Sequence, residues 1–146
     1  MAGAKNFKNM AALYKHLETQ IADALQNEVA KEVVEVLTED DGTVDRYVYD
    51  AYDSSYERTF QLKHPSNFNI EKTGKMKVKI YSTRSEGNRD IAKIIESGKG
   101  YYSRALDEKI KPRPFHAKTT KDLQADNSRL VRAMKDGLRK RGIKVV

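Results

Sequence analysis

The chain predicts an α+β fold, a small antiparallel β-sheet packed by a long N-terminal helix and a C-terminal helix, with a long loop or arm. Three observations carry this. Apolar residues recur at steps of three and four over the first 38 positions, strict alternation follows in Met76–Tyr81, and a second stripe at steps of three and four occupies the C-terminal quarter. The 146 residues read as a single domain, 1–146. Within it lie a long helix (6–38), an arm or loop (43–69), a sheet and loop (70–100), a C-terminal helix (116–141) and a terminal strand (142–146).

The first helix rests on Met10, Leu13, Tyr14, Leu17, Ile21, Leu25, Val29, Val33 and Val36, with Asn6 as N-cap. Its stripe reads as core packing, and its length exceeds what a small domain covers, so one end is expected to touch a neighbouring subunit. Glu39-Asp40-Asp41-Gly42 stops it, because carboxylates disfavour the negative end of the helix dipole and Gly42 can take a left-handed cap. Tyr47 to Phe60 then mixes tyrosines with Asp50, Asp53, Glu57 and Arg58 and has no clean period. Tyr47, Tyr49, Tyr52 and Tyr56, with Arg58, suit a contact surface, since tyrosine buries a ring while its hydroxyl stays wet. Rings folded back over the domain's own core fit the same residues.

Phe68-Asn69-Ile70 and Met76–Tyr81 are the strand signals, joined by a turn at Lys72-Thr73-Gly74-Lys75. Met76, Val78 and Ile80 are expected inward, and Lys75, Lys77, Lys79 and Tyr81 outward, as a solvated or guarded sheet face. Ser82 to Arg89 reads as a polar loop. The last helix takes Thr119 or Thr120 as cap, Asp122 near its positive end, and Leu123, Asn127, Leu130, Met134 and Leu138 as its stripe. Gly142 ends it, and Ile143–Val146 follows as a strand.

Between sheet and helix lies the stretch around which the chain is organised, Ile91–Phe115. Ile91, Ala92, Ile94 and Ile95 form a helical turn or a short strand closed by Glu96. Gly98 and Gly100, one residue apart, require a turn. Pro112 and Pro114 fix their own φ and push Lys111 and Arg113 extended, which delivers Phe115 as an anchor at the mouth of the next helix.

Composition bounds the function. With 38% hydrophobic and 34% charged residues the core is thin, which fits a subunit completed by assembly. No run has the length of a membrane span and Met1–Met10 has no apolar leader core, so the chain is expected to stay in the cytosol where it is made, without contact to a membrane. Zero cysteines exclude thiolate chemistry. The net charge of +7 is uneven: residues 1–70 hold seven Lys and Arg against twelve Asp and Glu, and residues 71–146 hold twenty-one against nine. Such a split suits either a nucleic-acid-facing second half or subunits docking acidic face to basic face.

Catalytic groups that could converge are few. His16, His64 and His116 stand singly, no serine sits in a nucleophile elbow, and Gly98-Lys99-Gly100 matches neither a P-loop nor a dinucleotide fingerprint. Asp107, Glu108 and Lys109 with Asp90 resemble a nuclease set only loosely, and Asp50, Asp53 and Glu57 match no cation loop, so no enzyme activity, metal or cofactor is expected. The stronger alternative is a basic protein that binds nucleic acid without sequence specificity. Lys135, Arg139, Lys140, Arg141 and Lys144 cluster at the last helix, with Lys109, Lys111 and Arg113 upstream, and no recognition-helix or stacking motif accompanies them.

The order apolar pair, Glu96, one residue, Gly98, loop, Pro112-Arg113-Pro114-Phe115, amphipathic helix resembles the tail-completion (tail-component) family of long-tailed bacteriophages, proteins of the head–tail junction or neck. Tyr47–Arg58 is similar to a tyrosine-rich block in versions from phages of Gram-positive bacteria. Ser97 departs from the pattern, since many relatives carry an aromatic there. The resemblance implies a structural virion protein made in the host bacterial cytoplasm. It forms a homo-oligomeric, six-fold ring that completes or terminates the tail and joins it to the head connector. Head-closure or connector, tail-terminator and tail-tube proteins are then its partners, with non-specific DNA contact in the channel. Gly98, Gly100, Pro112, Pro114 and Phe115, with the tyrosines and Arg58, become interface residues, and the C-terminal cations meet DNA or an acidic partner.

Overall fold

A computed structural model describes residues 6–50, 61–100 and 111–146. The fold is α+β, as predicted, and the chain gathers into two compact units. The first comprises Met1–Val33, Ile70–Ile80 and Asn127–Val146, and the second Val34–Asn69 and Tyr81–Asp126.

In the first unit, helix α1 (Met10–Ala24) continues into a π-helical turn, Leu25–Val29, and on into α2 (Ala30–Thr38). Its cap is Asn9, whose side chain accepts the Ala12 N–H at 2.9 Å; Asn6 lies outside the helix. Strands β1 (Phe68–Gly74) and β2 (Lys77–Ser82) form a two-stranded hairpin. Its turn is Lys75-Met76, later than expected, which moves Met76 from the inner face to an exposed tip. Val78 and Ile80 are half-buried and Lys77 and Lys79 exposed, so the alternation of β2 stands.

The helix expected over 116–141 is two: α4 (Phe115–Ala125) and α5 (Ser128–Lys140). Asp126, extended at φ −143°, breaks the run, and Asp and Asn are residues whose short polar side chains compete with helical backbone bonds. α5 packs on α1 and the π turn through Gly137. A Cβ there would lie 3.0 Å from the Ala24 Cβ and 2.9 Å from the Glu28 Oε2, so this glycine serves close approach. Gly142 caps α5 at φ 81°, and the Ile143 N–H reaches back to the Leu138 carbonyl. Residues 143–146 form no strand; instead the Arg139 guanidinium donates to the Val145 carbonyl.

In the second unit the chain leaves α2 through Asp41, which takes the left-handed conformation (φ 57°) assigned above to Gly42. Gly42 is needed for space: a Cβ would sit 2.7 Å from the Val36 carbonyl and 2.8 Å from that of Glu39. The expected arm starts instead as a helical turn, π-helical over Asp45–Tyr49, because Val44 and Val48 are almost fully buried. Short turns Gln61–Lys63 and Pro65–Asn67 lead into β1. The polar loop after β2 holds a second tiny hairpin, β3 (Ser85–Glu86) with β4 (Arg89–Asp90), pairing Ser85 with Asp90. Asp90 then caps α3 (Ile91–Ser97), so the apolar run is helical. The core holds Val36, Leu37, Val44, Val48, Leu62, Phe68, Ala92 and Phe115.

Candidate interaction surfaces

The Gly98–Phe115 stretch is brought together as one clasp. Gly98 ends α3 in the left-handed region at φ 72°, its N–H on the Ile94 carbonyl at 2.8 Å. Pro112 presses against it so closely that a Cβ on Gly98 would lie 2.6 Å from the Pro112 nitrogen. The Arg113 N–H donates to the Ile95 carbonyl at 2.9 Å, and its guanidinium Nη1 donates to the Val48 carbonyl at 3.3 Å. Phe115 opens α4 with 0% exposure.

Because Pro114 occupies the cap position of α4 and offers no side-chain acceptor, the first N–H groups of that helix find one elsewhere. The Glu96 carboxylate accepts from the N–H of His116 at 3.0 Å and of Ala117 at 3.1 Å, a negative charge on the positive end of the dipole. Thr119 and Thr120, expected as caps, lie inside α4 and donate to the carbonyls of Phe115 and His116. The His116 ring stacks on Phe115 at 4.3 Å and meets Phe68 edge-on at 6.4 Å. Burial there lowers its pKa from the usual 6.5, against the opposing pull of Glu96 and Asp90.

This geometry divides the residues assigned to an interface by their burial. Gly98 and Phe115 are buried and hold the unit from inside, whereas Gly100 and Pro112 are exposed. Of the tyrosines, Tyr52 and Tyr56 lie outside the described residues, as do Arg58, Asp53, Glu57 and the Asp107-Glu108-Lys109 set. Tyr47 and Tyr49 are half-buried on the π turn. The Tyr47 hydroxyl donates to Asp122 at 2.5 Å, with the Arg46 guanidinium 5.3 Å and the Lys118 ammonium 5.0 Å from its ring. The Asp122 hydrogen bond is the main cause that raises the Tyr47 pKa above 10.0; for Tyr49 it is burial. Asp122, expected near the helix start, thus sits in the third turn as this acceptor. Beside the tyrosines, Lys63 bridges Asp45 at 3.0 Å and Asp40 at 3.2 Å, which raises its own pKa.

His16 lies against the Phe7 ring at 5.1 Å, and His64 Nδ1 accepts from the Ser66 N–H, so each histidine serves local packing or capping. Among the described residues no group of three or more His, Cys, Asp and Glu is placed to hold a metal ion.

In the first unit the C-terminal cations divide. Arg141 turns inward, 17% exposed, donating to Glu28 at 2.9 Å and lying 3.6 Å from Asp23 as a structural ion pair. Arg139 pairs with Asp136 at 3.1 Å on the surface. Lys140 and Lys144 are exposed and Lys135 is half-buried. Arg132, absent from the sequence-based cluster, is exposed on the face of α5 that carries Lys135 and Arg139, at i, i+3 and i+7. That spacing is visible in the sequence once α5 is phased.

Fold and surfaces together define a small α+β protein whose described polar groups brace a proline-locked clasp and a cationic C-terminal helix. The chain belongs to the YomN family, whose model matches residues 9–140. An SPbeta prophage-derived uncharacterized protein, YomN of Bacillus subtilis (strain 168), is 37% identical over 103 residues, which is 66% of this chain and 68% of that relative. The family is therefore phage-related. No solved structure matches the chain. No helix among the described residues is long and apolar enough to cross a membrane.

Proposed function

We propose that this chain is a non-enzymatic structural virion protein of the phage head–tail interface. It assembles into a six-fold ring that completes or terminates the tail and joins it to the head connector. The observation that carries this reading is the clasp. The residues on which the likeness to tail-completion proteins rests are Gly98, Pro112, Pro114 and Phe115, and they form one packed object around Glu96, where spacing alone would be a weak sign. The prophage-derived relative supports the phage setting.

Met10 and Tyr14, each 58% exposed at the start of α1, supply apolar surface for neighbouring subunits or for head-closure, tail-terminator and tail-tube partners. The test is particle production with the gene deleted. Filled heads beside unattached tails are the expected result; intact, infectious virions would overturn the proposal.

A further inference from the structure

We infer that the first unit is a polyanion-binding module whose partner is the backbone of duplex DNA. The charge split read along the sequence persists when it is counted by unit. The first unit holds fifteen Lys and Arg against six Asp and Glu, net +9; the second holds thirteen against fifteen, net −2. Five of the first unit's six acids are already spent: Glu18 on Lys75, Asp23 and Glu28 on Arg141, Glu32 on Arg129, and Asp136 on Arg139. The Glu18, Asp23, Glu28 and Glu32 pairs fasten the hairpin to α1 and α5 to the long helix, and the unit keeps a net positive charge.

Arg132, Lys140 and Lys144, with Lys72 and Lys77 on the hairpin, are exposed and have no acidic partner among the described residues. Along α5, Arg132 and Lys140 are separated by about 12 Å, the axial span of roughly three to four phosphates on one strand.

Magnitude decides between partners. Association of copies rearranges charge without removing it, so a homo-oligomer keeps +7 per copy, and a unit of net −2 cannot offset one of +9. Only an external polyanion does so, and the return is counterion release. With contacts made by lysine and arginine to phosphate alone, binding is independent of base sequence. The inference rests on the charge of this unit and stands apart from the neck proposal, whose test is a particle phenotype.

The experiment is fluorescence anisotropy of the full chain on two labelled duplexes of unrelated sequence, each about 20 bp, from about 50 to 300 mM salt. Both sequences should bind equally, with log K falling linearly in log salt. The triple variant Arg132→Gln, Lys140→Gln, Lys144→Gln should lose about tenfold or more in affinity at about 100 mM salt, and its salt slope should shrink by roughly two to three. A control, Lys93→Gln, Lys99→Gln, Lys121→Gln, removes the same charge from exposed positions of the second unit and should change affinity less than about threefold. Absence of binding at the lowest salt, or equal loss in both triple variants, would overturn the inference. So would displacement of the duplex by polyglutamate as efficient, charge for charge, as by unlabelled DNA, which would point to an acidic protein.

Discussion

Phe115 shows how a single side chain is placed by its neighbours' lack of freedom. Two prolines restrict the segment before it, Arg113 is hydrogen-bonded to Ile95 and Val48, and the ring is driven to complete burial. Phe115→Ala removes that volume from a closed site and should cost about 3–5 kcal/mol, read as a lowered denaturant midpoint; an unchanged midpoint would deny the burial. His116, on the same ring, makes stability depend on pH. Its folded pKa lies below the unfolded 6.5, so the unfolded chain binds the proton more readily. The full contribution is present above pH 6.5 and is lost as pH falls through the folded value. Replacing His116 with Gln should flatten the stability curve below pH 6.5; an unaltered curve would assign the slope to other groups. The anchor role of Phe115 was legible because proline acts locally. The inward turn of Arg141 was not, since its partner Glu28 lies 113 residues away in the chain.

At the scale of elements, α1, β1–β2 and the α5 stripe followed from periodicity, which reports local amphipathicity faithfully. Boundaries did not. The α4–α5 break at Asp126-Asn127 is signalled only by two short polar residues that periodicity passes over, and the helical turn at Asp45–Tyr49 depends on the burial of Val44 and Val48, which no local pattern encodes. The start of α4 is the clearest case, because its cap comes from α3. Glu96→Ala should therefore cost about 0.5–2 kcal/mol, with helix loss by circular dichroism greatest in that element; stability equal to wild type would mean that water replaces the carboxylate at no cost. Gly98→Ala combines a left-handed residue, roughly 1–3 kcal/mol of strain, with a collision against backbone that cannot swing away. It should be more damaging than Gly87→Ala, where φ is also positive but nothing lies within 4 Å. Equal melting temperatures for the two would show that the approach of Pro112 imposes no constraint.

For the whole molecule, burial is divided as unevenly as charge. Phe115, Val44 and Val48 all belong to the second unit, whereas among the described residues the buried hydrophobic ones of the first are Ala24, Val29 and Ala30. Amide hydrogen exchange should accordingly be slowest around Val44, Val48 and Thr119 and fastest along the first turns of α1; equal protection in α1 and α4 would contradict this division. Composition had announced a thin core, but not that one unit would take most of it. The Glu96 bridge has a further bearing on descent. Helix α4 is initiated by a side chain of another element, so its first amides depend on what stands at position 96. Natural variants that lose the acid at this position must therefore supply an acceptor from elsewhere, and lineages of this family should exchange the two together.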